Sequence, residues 1–487
     1  MKLREFLIPF FFGLIGVLAF EPFSIKPLII LSYAYIVREL IGNDTYKIFK
    51  LIIWSFGHWG FGMSWLIVSV YYYGETSILI SFIIFILLVL ILTVVFALPL
   101  LLIKYRLFHG IKSGKIINLF LITSILVLCE LSRDYLLNGV PWLIPGIVFL
   151  DTYMQNIYSI VGIAGGSLII YIIATSIAIF WNRRIIIFLL SLILFIPVFY
   201  SDKELSGDIK VSIVQPSSDP FLKYKNGYKS IIEDNLITLL KNTAKESKLI
   251  VLPEAELPYT INSEDFIEFK SKLDLDNAYF LFGVWNYSNN KLYNSFLNLN
   301  SGQIYNKQHL VPFGEYIPFI SSLRGLIDFF DMPMSNVSKG TKNQDNFAIE
   351  LDKSLKIAPL ICFDIAFANT VRKSNISSDL MINISNDTWF GDSIGPYYHL
   401  AITRVRAIEN NRWIIRSTND GISAIISNKG TIVDKLEKGK SGVINSGVNI
   451  VQERTIYNSY GYYLPYFLSI LFLISSVIIS VCIKQRS

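Results

Sequence analysis

Two stretches of the chain are almost continuously apolar, and a stretch of ordinary mixed composition separates them. Residues 5–200 and 460–483 are rich in Ile, Leu and Phe and nearly free of charge, whereas charged residues return between 207 and 454. A helix needs about 20 mostly apolar residues to cross a bilayer. The pattern therefore predicts an N-terminal membrane domain at 1–200, a polar domain at 207–454 and a C-terminal membrane helix at 460–483.

Six apolar runs are candidates for membrane spans, and they lie at 51–73, 77–103, 116–132, 162–181, 185–200 and 460–483. The stretch 6–35 is interrupted by Glu21-Pro22 and Lys26-Pro27, and we interpret it as a hairpin of two short spans. A signal peptide is the alternative for its first half, but no small-residue cleavage site follows and further apolar runs come directly after it. The sequence thus predicts a polytopic α-helical membrane domain, with about eight spans in all.

Positive charges are distributed unevenly between the loops that join these spans. With a cytoplasmic N-terminus, thirteen Lys and Arg residues fall on the inner side, while the short outer loops contain two, Lys26 and Arg133. An excess of Lys and Arg marks the cytoplasmic side of a membrane protein. We therefore expect both termini in the cytoplasm and the 207–454 domain outside it.

The composition agrees with a membrane protein and excludes several other classes. Of the 487 residues, 53% are hydrophobic and 16% are charged, against roughly 25% charged in soluble domains. The net charge of +6 follows from the cations of the inner loops, so no nucleic-acid partner is expected. Four His without ligand spacing, and the lack of a Gly-rich phosphate loop, predict no metal and no cofactor.

The 207–454 domain shows short apolar runs that alternate between strand and helix periodicity. Strands are predicted at 209–215, 249–252, 278–285, 291–298, 303–306, 355–362, 380–383, 412–418, 422–427 and 431–436, and helices at 228–247, 263–273 and 396–411. This alternation of strands and helices indicates a layered α/β architecture.

Three residues capable of chemistry follow predicted strands of this domain: Glu254, Lys307 and Cys362. Functional sites gather at strand ends in layered α/β folds. A thiol nucleophile needs a base to take its proton, and acyl transfer needs a cation or hydrogen-bond donor for the developing oxyanion. The three residues can supply these roles, although a buried structural cysteine is the alternative for Cys362.

Several segments of the chain resemble known signature segments. VLPEAELP at 251–258, YNKQHLVPFGEYIP at 305–318 and LICFDIAF at 360–367 resemble the three signatures of the nitrilase superfamily. The second of them closely resembles the apolipoprotein N-acyltransferase family, as do the segments at 386–413, 18–23, 64–74 and 138–146. The resemblance covers nearly the whole chain in the family's order, and it implies a nitrilase-like α-β-β-α sandwich for the 207–454 domain.

The resemblance implies a role for each of the three strand-end residues. Cys362 corresponds to the nucleophile, Glu254 to the general base and Lys307 to the oxyanion stabiliser. Glu256 is a second candidate for the base, but the family's acid directly follows proline, as Glu254 does here. Glu315 matches a second family carboxylate, expected to orient Lys307 or to tune the base, with a structural ion pair as the alternative.

Four neighbouring residues complete the expected site. Asp364 and Phe363 stand where the family commonly has Glu and Tyr, and Tyr224 stands where it usually has Trp. These departures leave the three central residues intact and change the expected geometry around them. Trp389 matches a family residue, and we expect it either to line a lipid cleft or to anchor the fold as a buried aromatic.

A dense apolar segment follows Glu315 at 318–340 and includes Phe329, Phe330 and Met332. In a domain on a membrane surface, such a segment can dip into the interface and admit acyl chains. We predict that it forms a lid, with a core helix as the alternative.

The family resemblance implies the reaction and its partners. A phospholipid resembling phosphatidylethanolamine donates an acyl chain to Cys362, and the amine of a diacylated apolipoprotein accepts it, at the periplasmic side of a bacterial inner membrane. A membrane-tethered nitrilase-type amidase or hydrolase is one alternative function. A non-catalytic membrane scaffold or transporter is the other, because His58 and Glu130 lie within predicted spans.

Overall fold

The computed structural model describes residues 3–43, 45–73, 77–105, 114–198, 207–219, 222–225, 227–275, 277–311, 314–316, 337–461 and 463–486. The chain divides into two compact units. The first, here called the membrane unit, comprises Met1–Ile67, Ile78–Phe199 and Tyr460–Ser487. The second, here called the α/β unit, comprises Val68–Ser77 and Tyr200–Ser459.

Helices dominate the first 200 residues. They are α1 (Arg4–Val17), α2 (Leu28–Ile41), α3 (Lys47–Gly62), α4 (Trp65–Val68), α5 (Ile78–Leu92), α6 (Leu101–Tyr105), α7 (Lys115–Leu131), α8 (Tyr158–Ile179) and α9 (Arg184–Ser191). A π-helical turn, Ser69–Tyr73, continues from α4 into the α/β unit.

The α/β unit contains twelve strands within its described residues. They are β1 (Ile209–Gln215), β2 (Leu249–Val251), β3 (Tyr279–Ser288), β4 (Lys291–Asn298), β5 (Ile304–Asn306), β6 (Phe347–Glu350), β7 (Ser354–Ile361), β8 (Leu380–Ser385), β9 (Ile414–Thr418), β10 (Ser423–Ile426), β11 (Ile432–Leu436) and β12 (Gly442–Val448). The helices are α10 (Tyr228–Leu240), α11 (Glu264–Ser271), α12 (Ala368–Ser374), α13 (Gly395–Asn410) and α14 (Ile456–Tyr460), followed in the membrane unit by α15 (Leu464–Arg486).

Three helical stretches of the described chain are long and apolar enough to cross a membrane: Ile78–Ile103, Lys115–Asp134 and Gln155–Ile179. The pair Lys47–Gly62 and Trp65–Tyr71, bent by 57°, adds a fourth if it is counted as one span. By contrast, α1 and α2 have 14 residues each, or about 21 Å at 1.5 Å per residue, which is short of a hydrocarbon core of about 30 Å. The membrane character is confirmed, and the count of eight spans stays a prediction.

An ionic contact joins the ends of three helices in the membrane unit. Lys50 Nζ on α3 lies 3.0 Å from Glu5 Oε2 on α1 and 2.8 Å from Glu39 Oε2 on α2. The start of α1, the end of α2 and the start of α3 therefore lie together. This is the arrangement that successive helices adopt when they run in alternating directions.

Two six-stranded sheets form the centre of the α/β unit, in the orders β12-β1-β2-β3-β4-β5 and β11-β10-β9-β8-β7-β6. Strands β1 to β3 are parallel in the first sheet, and β7 to β9 are parallel in the second. Their alternating apolar residues produce a shared core, in which Val211 and Val251 of one sheet cluster with Ile382 and Ile415 of the other. The sheets therefore pack face to face.

The outer faces of both sheets are covered by helices. Leu236 of α10 and Phe269 of α11 cluster with residues of the first sheet, whereas Val371 of α12 and Leu400 of α13 cluster with residues of the second. The order of layers is therefore helix, sheet, sheet, helix. This confirms the predicted α-β-β-α sandwich and brings the ends of β2, β5, β7 and β8 close enough to build one site.

Candidate active site

The carboxylate of Glu254 and the ammonium of Lys307 form a buried ion pair. Glu254 follows β2, Lys307 follows β5, and Lys307 Nζ donates to Glu254 Oε1 at 2.8 Å. Lys307 is 1% exposed and Glu254 is 5% exposed. Burial lowers the pKa of the Lys307 ammonium, but Glu254 and Glu315 outweigh it and hold that pKa well above its usual range. The lysine is therefore a fixed cation.

Glu315 and Asn294 complete the surroundings of this pair. Lys307 Nζ lies 2.9 Å from Glu315 Oε2, so the same ammonium group forms ion pairs with two carboxylates, those of Glu254 and Glu315. Asn294 Nδ2 on β4 donates to Glu254 Oε1 at 2.6 Å and to Glu315 Oε1 at 2.9 Å. The backbone N–H of Val311 donates to Glu315 Oε2 at 2.8 Å. These donors compensate the two neighbouring negative charges and fix their orientations.

The two oxygens of Glu254 are engaged differently. Oε1 accepts from Lys307 and from Asn294, whereas Oε2 accepts one hydrogen bond, from the backbone N–H of Asn386 at 2.8 Å. A carboxylate oxygen has two lone pairs. Within the described part of the chain, Oε2 is thus the oxygen that retains a lone pair to accept a proton.

A tight backbone turn projects Glu254 from its strand. Ala255 has a φ of 42°, in the left-handed region, and Gly283 of β3 lies directly beneath the turn. A Cβ on Gly283 would approach Glu254 Cα to 2.6 Å and Ala255 N to 2.4 Å. Glycine is therefore required at position 283 for the turn to pack against β3.

Cys362 also occupies a strained turn, between β7 and the 3₁₀ turn Cys362–Ala366. Its φ is 45°, which is uncommon for a residue with a side chain. The side chain is buried, and burial followed by the charge of Glu254 raises the pKa of the thiol, while Lys307 opposes the rise. At neutral pH the resting group is therefore a thiol, which needs a base before it can attack.

Asp364 joins the turn that contains Cys362 to the segment that contains Lys307. Its Oδ2 accepts from Tyr305 Oη at 3.0 Å and its Oδ1 from the backbone N–H of His309 at 2.8 Å. The carboxyl is fully buried, and burial raises its pKa to about 7 despite the opposing effect of Lys307. Asp364 therefore holds the segment that contains Cys362 and the segment that contains Lys307 together.

Aromatic rings support the same turn. The His309 ring stacks on Phe367 with centroids 3.6 Å apart, and Phe363 meets Phe367 edge to face at 5.0 Å. His309 Nε2 also lies 2.7 Å from Thr370 Oγ1. Burial, with nearby lysines, lowers the pKa of His309 to about 3, so this ring is neutral at physiological pH. These contacts give His309 and Phe363 packing roles beside the site.

Glu256 faces a different partner from Glu254. It is buried, and its carboxylate interacts with Lys223 and with the Ser218 hydroxyl. Lys223 Nζ also donates to the backbone carbonyl of Ala255. Burial raises the pKa of Glu256, and Lys223 opposes the rise. The structure thus gives the two glutamates different cationic partners, Lys307 for Glu254 and Lys223 for Glu256.

Tyr224 and Trp389 belong to an apolar neighbourhood next to this turn. Tyr224 Oη accepts from Trp285 Nε1 at 3.2 Å. Trp285 clusters with Ala255, and the half-buried Trp389 packs against that cluster. The Trp389 carbonyl accepts from Ser69 Oγ at 2.6 Å, which fixes its backbone within the α/β unit. An apolar cluster therefore begins one residue from Glu254.

Two groups of residues near the site are not predictable from the sequence pattern used above. Asn294 lies within a predicted strand. Asn is uncommon in strand interiors, and this was the one signal in the sequence that could have marked it. The buried Asp387, which follows β8, binds Arg416 and His399, and no sequence pattern identifies those partners. The predicted lid residues Phe329, Phe330 and Met332 lie outside the described residues.

Comparison with known families matches both parts of the chain. Residues 12–176 match the apolipoprotein N-acyltransferase N-terminal domain, and residues 210–455 match the carbon-nitrogen hydrolase family. Among solved structures, a CN-hydrolase superfamily protein of Xanthomonas campestris is 19% identical, with a TM-score of 0.38, over 50% of this chain and 91% of that one. This structural likeness is too low to carry an argument.

Curated relatives match over the full length. The apolipoprotein N-acyltransferase of Haemophilus influenzae is 30% identical, with 97% of this chain and 94% of the relative covered. That of Pseudomonas syringae is 30% identical, with 91% of both chains covered, and that of Haemophilus ducreyi is 28% identical, with 95% and 94% covered. The chain therefore belongs to the apolipoprotein N-acyltransferase family.

Proposed function

We propose that this membrane acyltransferase works through a thioester on Cys362. Glu254 Oε2 takes the thiol proton, and the thiolate sulfur attacks the ester carbonyl of a phospholipid. Lys307 stabilises the negative charge that develops on the carbonyl oxygen. The C–O ester bond then breaks, Glu254 returns the proton to the leaving oxygen, and a lysophospholipid departs.

The second half of the proposed reaction transfers the acyl chain to an amine. The N-terminal amine of a diacylglyceryl-cysteine attacks the thioester carbonyl, and Glu254 accepts a proton from the nitrogen. The C–S bond breaks, and the proton passes to the thiolate, which restores Cys362. The product is an amide, and this two-step exchange is ping-pong covalent catalysis. The observation that carries it is the buried Lys307–Glu254 contact beside the Cys362 turn.

The proposed donor is a phospholipid resembling phosphatidylethanolamine, and the proposed acceptor is a diacylated apolipoprotein. Membrane helices in the same chain support substrates that are themselves anchored in a bilayer. The apolar cluster of Trp285, with the half-buried Trp389 packed against it, supports acyl-chain binding next to the base. The segment with Phe329, Phe330 and Met332 is proposed to extend this apolar region as a lid.

We further propose eight spans, with both termini in the cytoplasm and the 207–454 domain on the periplasmic side of a bacterial inner membrane. Thirteen Lys and Arg on one side against two on the other support this orientation. The grouping of Glu5, Glu39 and Lys50 at one end of α1 to α3 supports alternating helices there.

A single assay separates this function from its alternatives. The purified full-length chain is incubated with a phospholipid labelled in its acyl chain and a synthetic diacylated peptide. Labelled peptide is the expected product and supports transfer. Labelled free fatty acid with unlabelled peptide would indicate a membrane-tethered hydrolase. Unchanged phospholipid would favour a scaffold or transporter.

A further inference from the structure

A buried polar cluster lies behind the reactive residues and has no part in the mechanism above. Asp387 and Arg416 are fully buried, and His399 is nearly so. Arg416 Nη2 donates to Asp387 Oδ2 at 2.6 Å, and His399 Nδ1 lies 3.0 Å from Asp387 Oδ1. An apolar pair of similar volume often stabilises a core as well as a buried ion pair does. Stability by itself therefore does not account for this cluster.

Asp387 ends a short turn, residues 385–387, that touches the general base. The Asn386 backbone N–H donates to Glu254 Oε2 at 2.8 Å, and the Ser385 Oγ donates to Asp387 Oδ1 at 2.6 Å. The Asp387 carboxylate thus holds the Ser385 side chain at the start of the turn, and Glu254 binds the backbone N–H of Asn386 in its middle. A shift of the turn would remove the donor that orients the proton-accepting oxygen.

The same turn places Ser385 beside the nucleophile. Strands β7 and β8 are parallel, with Ile361 opposite Ile384, so Cys362 and Ser385 are the next neighbouring pair at the same sheet edge. The Ser385 hydroxyl is fully buried, and its effect as a donor is to lower the pKa of the neighbouring Cys362 thiol. The hydroxyl proton that Asp387 accepts therefore lies beside a second acceptor, the Cys362 sulfur, at the end of the neighbouring strand.

A hydroxyl carries one proton and two lone pairs. While Ser385 donates to Asp387, it can only accept from the Cys362 S–H. Once the thiol proton has moved to Glu254, rotation of the Ser385 hydroxyl turns its proton from Asp387 to the thiolate. No covalent bond of Ser385 changes, and the proton count is unaltered.

We propose that Ser385 is a further catalytic residue, a switchable donor to the Cys362 sulfur, and that Asp387 with Arg416 and His399 positions it. This inference rests on the proposed role of Cys362 as nucleophile. It assigns the cluster to the thioester-forming step. Asn386 binds the general base, Glu254, and Ser385 binds the Cys362 sulfur. The Asp387 cluster therefore positions a contact to each of the two reactive groups.

The first test is Ser385→Ala, measured by alkylation of Cys362 with iodoacetamide across pH and by acylation with labelled phospholipid. Glu254, Lys307 and Asp387 act on the thiol through their charges, His399 meets the backbone of Cys362, and all four are unchanged in this variant. Loss of a donor to the thiolate should move the alkylation midpoint upward by about one pH unit and slow acylation by about tenfold.

The matched control for this variant is Ser417→Ala on β9. Ser417 is equally buried, but its hydroxyl donates to the Val214 carbonyl at 3.2 Å. This control should keep the parental midpoint and acylation rate. A Ser385→Ala protein with the parental midpoint and rate would overturn the proposal.

The second test is the double variant Asp387→Leu with Arg416→Met, which leaves neither partner as an unpaired buried charge. If the cluster has a positioning role, the double variant should keep its thermal transition, and acylation should slow by about 10²-fold. This is about the effect expected from losing a positioned catalytic base. Parental acylation in a folded double variant would contradict it. If the double variant has no thermal transition, the Ser385→Ala result decides the proposal.

Cys362→Ala, assayed in parallel, separates this inference from the proposed function. Transfer that survives Cys362→Ala would refute the proposed function itself. Transfer that is lost in Cys362→Ala and unchanged in Ser385→Ala would refute only the role of the 385–387 turn.

Discussion

The ammonium group of Lys307 donates a hydrogen bond of 2.8 Å to Oε1 of Glu254, and both side chains are buried. The proposed oxyanion stabiliser and the proposed general base are therefore in contact before substrate arrives. Lys307 balances the charge that Glu254 brings into the core, which leaves Glu254 Oε2 available to the thiol. Because the pKa of Cys362 is raised, deprotonation and attack are expected to be coupled to substrate binding rather than to precede it.

We predict that phospholipid leaves an acyl adduct on Cys362 that hydroxylamine removes. A thioester is cleaved by hydroxylamine, whereas an amide is not, so intact mass before and after treatment measures the intermediate. Cys362→Ala should abolish both the adduct and transfer. Cys129→Ala and Cys482→Ala are the matched controls, because the described chain has these two further thiols in the membrane unit. An adduct that maps to either of them contradicts the assignment.

The two buried glutamates around Ala255 should differ sharply in their effect on activity. Glu254→Gln removes the proton acceptor with little change in shape, so the acylation rate should fall by about 10²-fold or more. Glu256→Gln should be much milder, because Glu256 interacts with Lys223 and not with Lys307. Single-turnover acylation measures both variants. The reverse order of effects would show that Glu256 is the base.

Much of the sandwich follows from local pattern. Strand β1 begins and ends where its alternation predicts, at Ile209 and Gln215. Strand β12 was missed because its sequence GVINSGV is rich in residues that disfavour strands. It becomes a strand through pairing with β1, for example Ile213 opposite Ile444, more than 200 positions away in the sequence. The sequence near β12 does not indicate that it pairs with so distant a strand.

The residues of the site likewise fall into those that the local sequence indicates and those whose roles appear only in the folded structure. The sequence indicates Glu254, Lys307 and Cys362 because each follows a recognisable strand. Asn294 and Arg416 escape prediction because their roles depend on which side chain lies opposite in the folded sandwich. Arg416 meets Asp387 across 29 positions, and both are ordinary charged residues until the fold buries them.

Glu315 should tune the reaction rather than accept its proton. Glu315→Gln keeps an oxygen for one of the two donors, Asn294 or the Val311 backbone N–H, and removes one of the two charges that hold Lys307. We expect acylation to slow by about tenfold, less than for Glu254→Gln. Glu437→Gln, at an exposed carboxylate, is the control and should match the parent protein. A loss in Glu315→Gln as large as that in Glu254→Gln would instead make Glu315 the proton acceptor.

Asp364 should make the α/β unit less stable as pH rises. Burial raises its pKa from 3.8 to about 7 in the folded protein, so between these values the folded state binds the proton that the unfolded state has lost. The contribution is fully present below pH 3.8 and is lost as pH rises through about 7.

At 1.36 kcal/mol per pKa unit, the loss amounts to about 4 kcal/mol. Asp364→Asn carries no titrating proton, so its thermal transition should decrease less between pH 5 and pH 8 than that of the parent. The fully exposed Asp392 provides the control Asp392→Asn, which should follow the parent at both pH values. If Asp364→Asn shows the parental pH dependence, the carboxyl of Asp364 is ionised in the fold, and its hydrogen bonds from Tyr305 and His309 outweigh its burial.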